Sequence, residues 1–131
     1  MLASAIEPVL EKARRDQAVL AVVLFGSQAR GEAEAVSDLD VCLVLDLSRA
    51  MKEDQLSARE AYLSFVTKRL DIHVFQQLPL YIRTRVLREG QVLFCRDETR
   101  LYDLAYRTAQ AFEDFKPYYR RYLEQVARAG S

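Results

Sequence analysis

Hydrophobic and polar positions alternate along this chain in blocks that change period several times. Leu2, Ile6, Val9, Leu10 and Ala13 recur at helical spacing and predict an amphipathic helix up to about residue 17. AVLAVVLFG (18–26) is instead a continuous apolar run, rich in valine and closed by Gly26. Its length and β-branched content predict a strand buried on both faces. A polar stretch, SQARGEAEAVS, then leads into DLDVCLVLD (38–46), a second buried strand. Residues 49–69 hold neither Gly nor Pro, and Leu56, Leu63, Val66 and Leu70 trace a helical stripe.

LDIHVF (70–75) predicts a third strand. Pro79 opens a helix that Gly90 closes, the usual asymmetry of helix ends. VLFC (92–95) predicts a fourth, peripheral strand. From Asp97 to about Ala129 the pattern is helical, with Leu101, Leu104, Phe112, Phe115 and Leu123 as a core stripe and Pro117 expected to kink or break it. The order αβ(α)βαβαβα places the chain in the α+β or mixed α/β class, around a small sheet flanked by helices. At 131 residues, with no repeat, low-complexity tract or linker, residues 1–131 read as one domain.

Composition narrows the function. Lys plus Arg number 19 against 19 acidic residues, so the formal net charge is zero. Proteins that grip polynucleotides usually carry a basic excess to displace counterions from phosphates; none is visible, and a long nucleic-acid partner is not expected. Cys42 and Cys95 sit inside apolar runs and read as buried small hydrophobes in a reducing compartment. The N-terminus has acidic residues and no apolar segment of export length, and no stretch approaches the roughly 20 apolar residues that span a bilayer. A cytoplasmic protein without a membrane partner is expected.

Three features carry candidate chemistry. Gly26-Ser27 follows a buried strand directly: glycine lets the backbone turn sharply against a ligand, and the Ser27 hydroxyl can donate to a phosphate oxygen. Asp38-Leu39-Asp40 opens the second strand, and period-two geometry puts Asp38 and Asp40 on one face. Two carboxylates entering an apolar run repel one another unless a hard divalent cation such as magnesium or manganese sits between them. The alternative is a solvated pair at a strand end. Asp71 opens the third strand on the same face as His73 and Phe75. If that strand neighbours the second, three carboxylates converge, enough for two divalent ions about 4 Å apart of the kind that clamp a phosphoryl transfer.

Gly26-Ser27, ten residues, then Asp38-x-Asp40 resembles the signature of the polymerase-beta-type nucleotidyltransferase superfamily, with Asp71 where that superfamily places its third carboxylate. The resemblance runs through GSQARGEAEAVSDLDV, RLDIHVF and VLREGQVLFCRD to the closing helix, and is to the minimal nucleotidyltransferases, antitoxin partners of HEPN-domain ribonuclease toxins. It implies the nucleotidyltransferase fold and transfer of AMP from ATP, with magnesium or manganese, onto a toxin tyrosine. It also implies catalytic and metal-ligating roles for Asp38, Asp40 and Asp71, and nucleotide contacts from Gly26, Ser27 and Arg30, whose guanidinium can bind two phosphate oxygens. Assembly as a homo-oligomer or as a hetero-oligomer with the toxin stays open. So do two other readings: an antitoxin that works by covering its partner, and an enzyme with a small-molecule acceptor. His73 replaces an expected aliphatic residue and reads as a hydrogen-bonded structural histidine or as a site-lining one. Tyr102, Tyr106, Tyr118, Tyr119 and Tyr122 crowd the C-terminal region, either at the margins of the core stripe or as a partner surface.

Overall fold

The structure is a computed structural model, and it describes residues 2–26, 39–49 and 52–130. Five helices or strands open the chain: α1 (Leu2–Arg15), β1 (Val19–Phe25), β2 (Leu39–Leu45), α2 (Lys52–Ala61) and, after a 3-10 turn at Leu63–Phe65, β3 (Leu70–Val74). A second 3-10 turn (Phe75–Gln77) leads to α3 (Leu80–Glu89), β4 (Gln91–Cys95) and α4 (Glu98–Ala129). The sheet order is β3-β2-β1-β4. β2 pairs with β3 in parallel, while β1 pairs antiparallel with β2 and β4. The expected mixed sheet with a peripheral fourth strand is present, and the described helices cover both of its faces.

The two apolar runs became the central strands because both of their faces are covered. On one face Val41, Leu43, Leu45, Ile72 and Val74 pack against Val9, Leu10 and Ala13 of α1 and against Tyr62. On the other, Val23, Cys42 and Val44 pack against Phe75 and Val86, with Leu101 and Leu104 of α4 alongside. β3 lies at an edge and alternates, with Leu70, Ile72 and Val74 buried and Asp71 and His73 half-buried. That alternation aims Asp71 and His73 at the α3/α4 side of the sheet. The wide separation in sequence of these strands is closed by α2, as a parallel pair requires a crossover.

Two polar clamps fix the frame. Arg96 donates to the carbonyls of Val19, Ala13 and Asp16, satisfying C-terminal carbonyls of α1 and tying them to β1. Buried Asp46, just past β2, accepts from the Ser48 amide and hydroxyl and pairs with Arg100 of α4 at 2.9 Å. Burial pushes the Asp46 carboxyl up, but the two Ser48 hydrogen bonds and the Arg100 charge outweigh it and hold the group below the ordinary carboxylate value. Such a group stabilises the fold above its unfolded-state pKa, and that contribution is lost as pH falls through its folded value. Arg100→Met is therefore expected to cost about 1–2 kcal/mol at neutral pH, the lower part of the charged hydrogen-bond range because the guanidinium is half exposed. Denaturant melts should show the deficit at pH 7 and see it shrink in acid.

Several sequence expectations are corrected. The helix expected over 49–69 ends at Ala61, and Leu70 begins β3. Leu56 and Leu63 of the proposed stripe are exposed, while Ala58 and Tyr62 turn inward. Tyr62 wins because its ring fills the α1 side of the core and its hydroxyl reaches Asp16 at 3.0 Å. Pro117 does not break α4, which runs through it. The ring of Tyr119 stacks on Tyr81 of α3 at 5.7 Å and touches Phe115 at 5.9 Å, so packing on either side of Pro117 outweighs one missing amide bond. The C-terminal core stripe holds only at its start. Leu101 and Leu104 join the core, whereas Phe115 and Leu123 are exposed, because no sheet lies under the second half of α4. Four of its tyrosines, Tyr102, Tyr106, Tyr118 and Tyr122, are also exposed. Cys42 and Cys95 are free thiols, Cys42 fully buried.

Candidate functional site

β1 ends, and β2 and β3 begin, at the same end of the sheet, and the polar residues gather there. Phe25 pairs with Asp40, and Asp40 with Asp71. The parallel register thus puts a residue from the DLD segment beside one from LDIHVF, 31 positions later. Next to them the chain turns at Gly26, whose φ of +89° is the left-handed region open to glycine. A side chain there would also intrude: a Cβ on Gly26 would lie 2.9 Å from Oδ2 of Asp40. Glycine leaves the space beside that carboxylate open.

Among the described residues, Asp40, Asp71 and His73 each offer a ligand atom within 4.8 Å of the others. His73 Nε2 lies 3.1 Å from Asp40 Oδ1 and 3.3 Å from Asp71 Oδ2. The imidazole also meets Phe25 edge-on, with ring centroids 5.4 Å apart. Asp71 is held from the other side: Arg59 of α2 donates to its Oδ1 at 2.9 Å and to the Ile72 carbonyl at 2.8 Å, and the Ile72 amide caps the same Oδ1. Burial pushes the Asp71 carboxyl up, but the Ile72 amide, the neighbouring His73 and the Arg59 guanidinium outweigh it and keep the group ionised to below the ordinary carboxylate value. Its Oδ2 is left facing Asp40 and His73. The arrangement can hold a hard cation, since two carboxylates and an imidazole converge with one oxygen each turned inward.

Of the residues singled out from sequence, the structure brings together Gly26, Asp40 and Asp71, and adds His73 to them. Ser27, Arg30 and Asp38 lie outside the described residues. A cleft of about 160 Å³ opens beside Gly26, lined by Phe25, Ile82, Arg85 and Glu89. Larger cavities among the described residues include one of about 330 Å³ among β4, α3 and α4 and one of about 350 Å³ beside Asp46. The first is walled mostly by apolar side chains and the second by the Asp46–Arg100 clamp, so chemistry centres on the half-buried carboxylates instead.

Comparison with known proteins decides the family. Residues 7–99 match the family model described as polymerase beta, nucleotidyltransferase. The chain belongs to the polymerase beta nucleotidyltransferase family. It is 31% identical over 102 residues, 75% of this chain and 73% of the other, to a Methanocaldococcus jannaschii protein that bears the name of a protein adenylyltransferase. Solved structures share the fold. A chain of a toxin–antitoxin structure with AMP-PNP superposes with a TM-score of 0.66 at 16% identity, covering 90% of this chain and 95% of that one. A chain of the complex of tri-AMPylated Shewanella oneidensis HEPN toxin with MNT antitoxin gives 0.67 at 14%, covering 97% and 99%. The chain is a nucleotidyltransferase, as its sequence resemblance implied.

Two features of this nucleotidyltransferase are not legible in its sequence. Arg59 carries no motif: it sits 12 residues before Asp71 on a helix whose apparent inner stripe was misplaced. Arg85 faces the Gly26 cleft from α3, and only the packing of that helix on the sheet puts it there. No described helix is long and apolar enough to cross a membrane.

Proposed function

We propose that this nucleotidyltransferase transfers AMP from ATP to a tyrosine hydroxyl of a HEPN toxin and silences it as an antitoxin, with residues 1–131 acting as one cytoplasmic unit. The observation that carries the reading is the pairing of Asp40 with Asp71 on adjoining parallel strands, beside the open Gly26 turn. The adenylyltransferase name of the Methanocaldococcus jannaschii relative supports AMP as the transferred group. Structural neighbours solved with AMP-PNP and with an AMPylated HEPN toxin support the nucleotide and the partner. The exposed tyrosines of α4 and the balanced charge suit a protein surface better than a polynucleotide.

Asp38, Asp40 and Asp71 would hold magnesium or manganese, and the inward-turned oxygens of Asp40 and Asp71 fit such an ion. When bound, the metal neutralises charge at the transferring phosphate and acidifies the attacking hydroxyl, whose phenol otherwise has a pKa near 10. Ser27, Arg30 and backbone amides after Gly26 hold the triphosphate. Asp71, kept ionised by Arg59 and the Ile72 amide, faces the incoming hydroxyl. The tyrosine oxygen bonds to the α-phosphorus, its proton passes to solvent, and the bond to the bridging oxygen breaks to release pyrophosphate. The chain's contribution is chiefly placement and charge.

Incubating a HEPN toxin with labelled ATP, magnesium and this chain should add mass to the toxin in steps of AMP. Asp71→Asn should stop the addition while ATP stays bound. Neutralisation of the toxin by Asp40→Asn with no label on it would overturn the enzymatic reading in favour of a covering antitoxin, for which α4 offers the surface. Arg59→Met should lower transfer about 10–100-fold, the usual effect of removing a group that orients a ligand carboxylate. Single-turnover rates would check this, and an unchanged rate would remove Arg59 from the mechanism.

A further inference from the structure

We infer that His73 is a direct ligand of the divalent cation, giving this site a nitrogen donor that shifts its preference from magnesium toward manganese and cobalt. The inference rests on the reading of Asp40 and Asp71 as metal ligands. Its first support is distance. Adjacent ligands on an octahedral ion with bonds of about 2.1 Å lie about 3.0 Å apart. His73 Nε2 stands 3.1 Å from one carboxylate oxygen and 3.3 Å from the other, close to the spacing of neighbouring corners in each case, and all three ligand atoms lie within 4.8 Å of one another.

The second support is the use of the remaining atoms. Oδ1 of Asp71 is taken by Arg59 and the Ile72 amide, which leaves Oδ2 for the side where His73 stands. Asp40 turns Oδ1 to the same side, 3.1 Å from His73 Nε2, with Oδ2 toward the open space at Gly26. Nε2 has one bonding direction, so it can make one well-aligned hydrogen bond, not two. A single nitrogen set between two carboxylate oxygens is better matched to one cation shared by all three. The ring is not free to leave: it packs in a T-shaped contact with Phe25, and strand pairing sets His73 opposite Cys42 between Asp40 and the core. Imidazole suits later divalent metals, whereas magnesium favours an all-oxygen shell.

The chain contains one histidine, so any imidazole coupling to a bound ion can be assigned without ambiguity. The untagged full chain is titrated with manganese alone and examined by pulsed electron paramagnetic resonance. The expected result is bound manganese with imidazole-nitrogen hyperfine coupling. That coupling should vanish in both His73→Leu and His73→Gln while manganese remains bound, and the preference for manganese over magnesium in competition should fall about tenfold. Manganese bound to the parent without nitrogen coupling overturns the role of His73, and if Asp40→Asn then releases the ion the carboxylate reading stands alone. Failure of the parent to bind manganese, or binding indifferent to Asp40→Asn, overturns both. The parent spectrum decides the question even if the His73 variants fail to fold.

Discussion

Asp40→Asn is expected to lower nucleotide transfer by about a thousandfold or more while leaving the melting temperature unchanged or slightly raised. The two effects have one cause. Asp40 pairs with Asp71 across β2 and β3, and two carboxylates at such close range repel each other in the absence of a cation. The amide removes that repulsion and can still hydrogen-bond His73, so the half-buried position loses no necessary contact. What it loses, under the proposed function, is a negative oxygen at the point where charge must be gathered around the α-phosphate. Label transfer to the acceptor and a thermal melt measure the two halves separately. Activity within tenfold of the parent would remove Asp40 from the chemistry, and a large loss of stability would show that the carboxylate is part of the frame.

Gly26→Val should also show a large activity loss, by a different route. At φ +89° a β-branched residue is strained, at a cost of roughly 1–2 kcal/mol, which lowers the melting temperature by several degrees. The new Cβ would sit 2.9 Å from Asp40 Oδ2, close enough that the carboxylate must swing away. Transfer should fall by about a hundredfold, far more than the unfolded fraction explains, because a misplacement on the order of 1 Å near reacting groups has that effect. Gly26→Asn separates the causes, since asparagine tolerates positive φ but still carries a Cβ. Asparagine should recover stability without recovering activity. If both return together, backbone strain alone was responsible and the space beside Asp40 is not needed.

Much of this protein was written in local pattern. The strands VLAVVLF and LDVCLVL follow from continuous β-branched runs, because a segment apolar on both faces is stable only inside a sheet covered on both sides. Gly26, Asp40 and Asp71 are identifiable as residue types at a spacing, and period-two geometry alone places Asp71 and His73 on one face. Tertiary structure decided the rest. That Asp40 meets Asp71 depends on parallel pairing of strands 31 residues apart, and pairing register is set by packing, which no local window contains. The inner face of α2 went to Ala58 and Tyr62, not to the leucines at helical spacing, because the space between α1 and β3 accepts a tyrosine tied to Asp16. Arg59 reaches Asp71 for the same reason, since turning that helix carries its guanidinium to the strand end. The aromatic second half of α4 is exposed because the helix outruns the sheet, a matter of length against the width of four strands that periodicity cannot express.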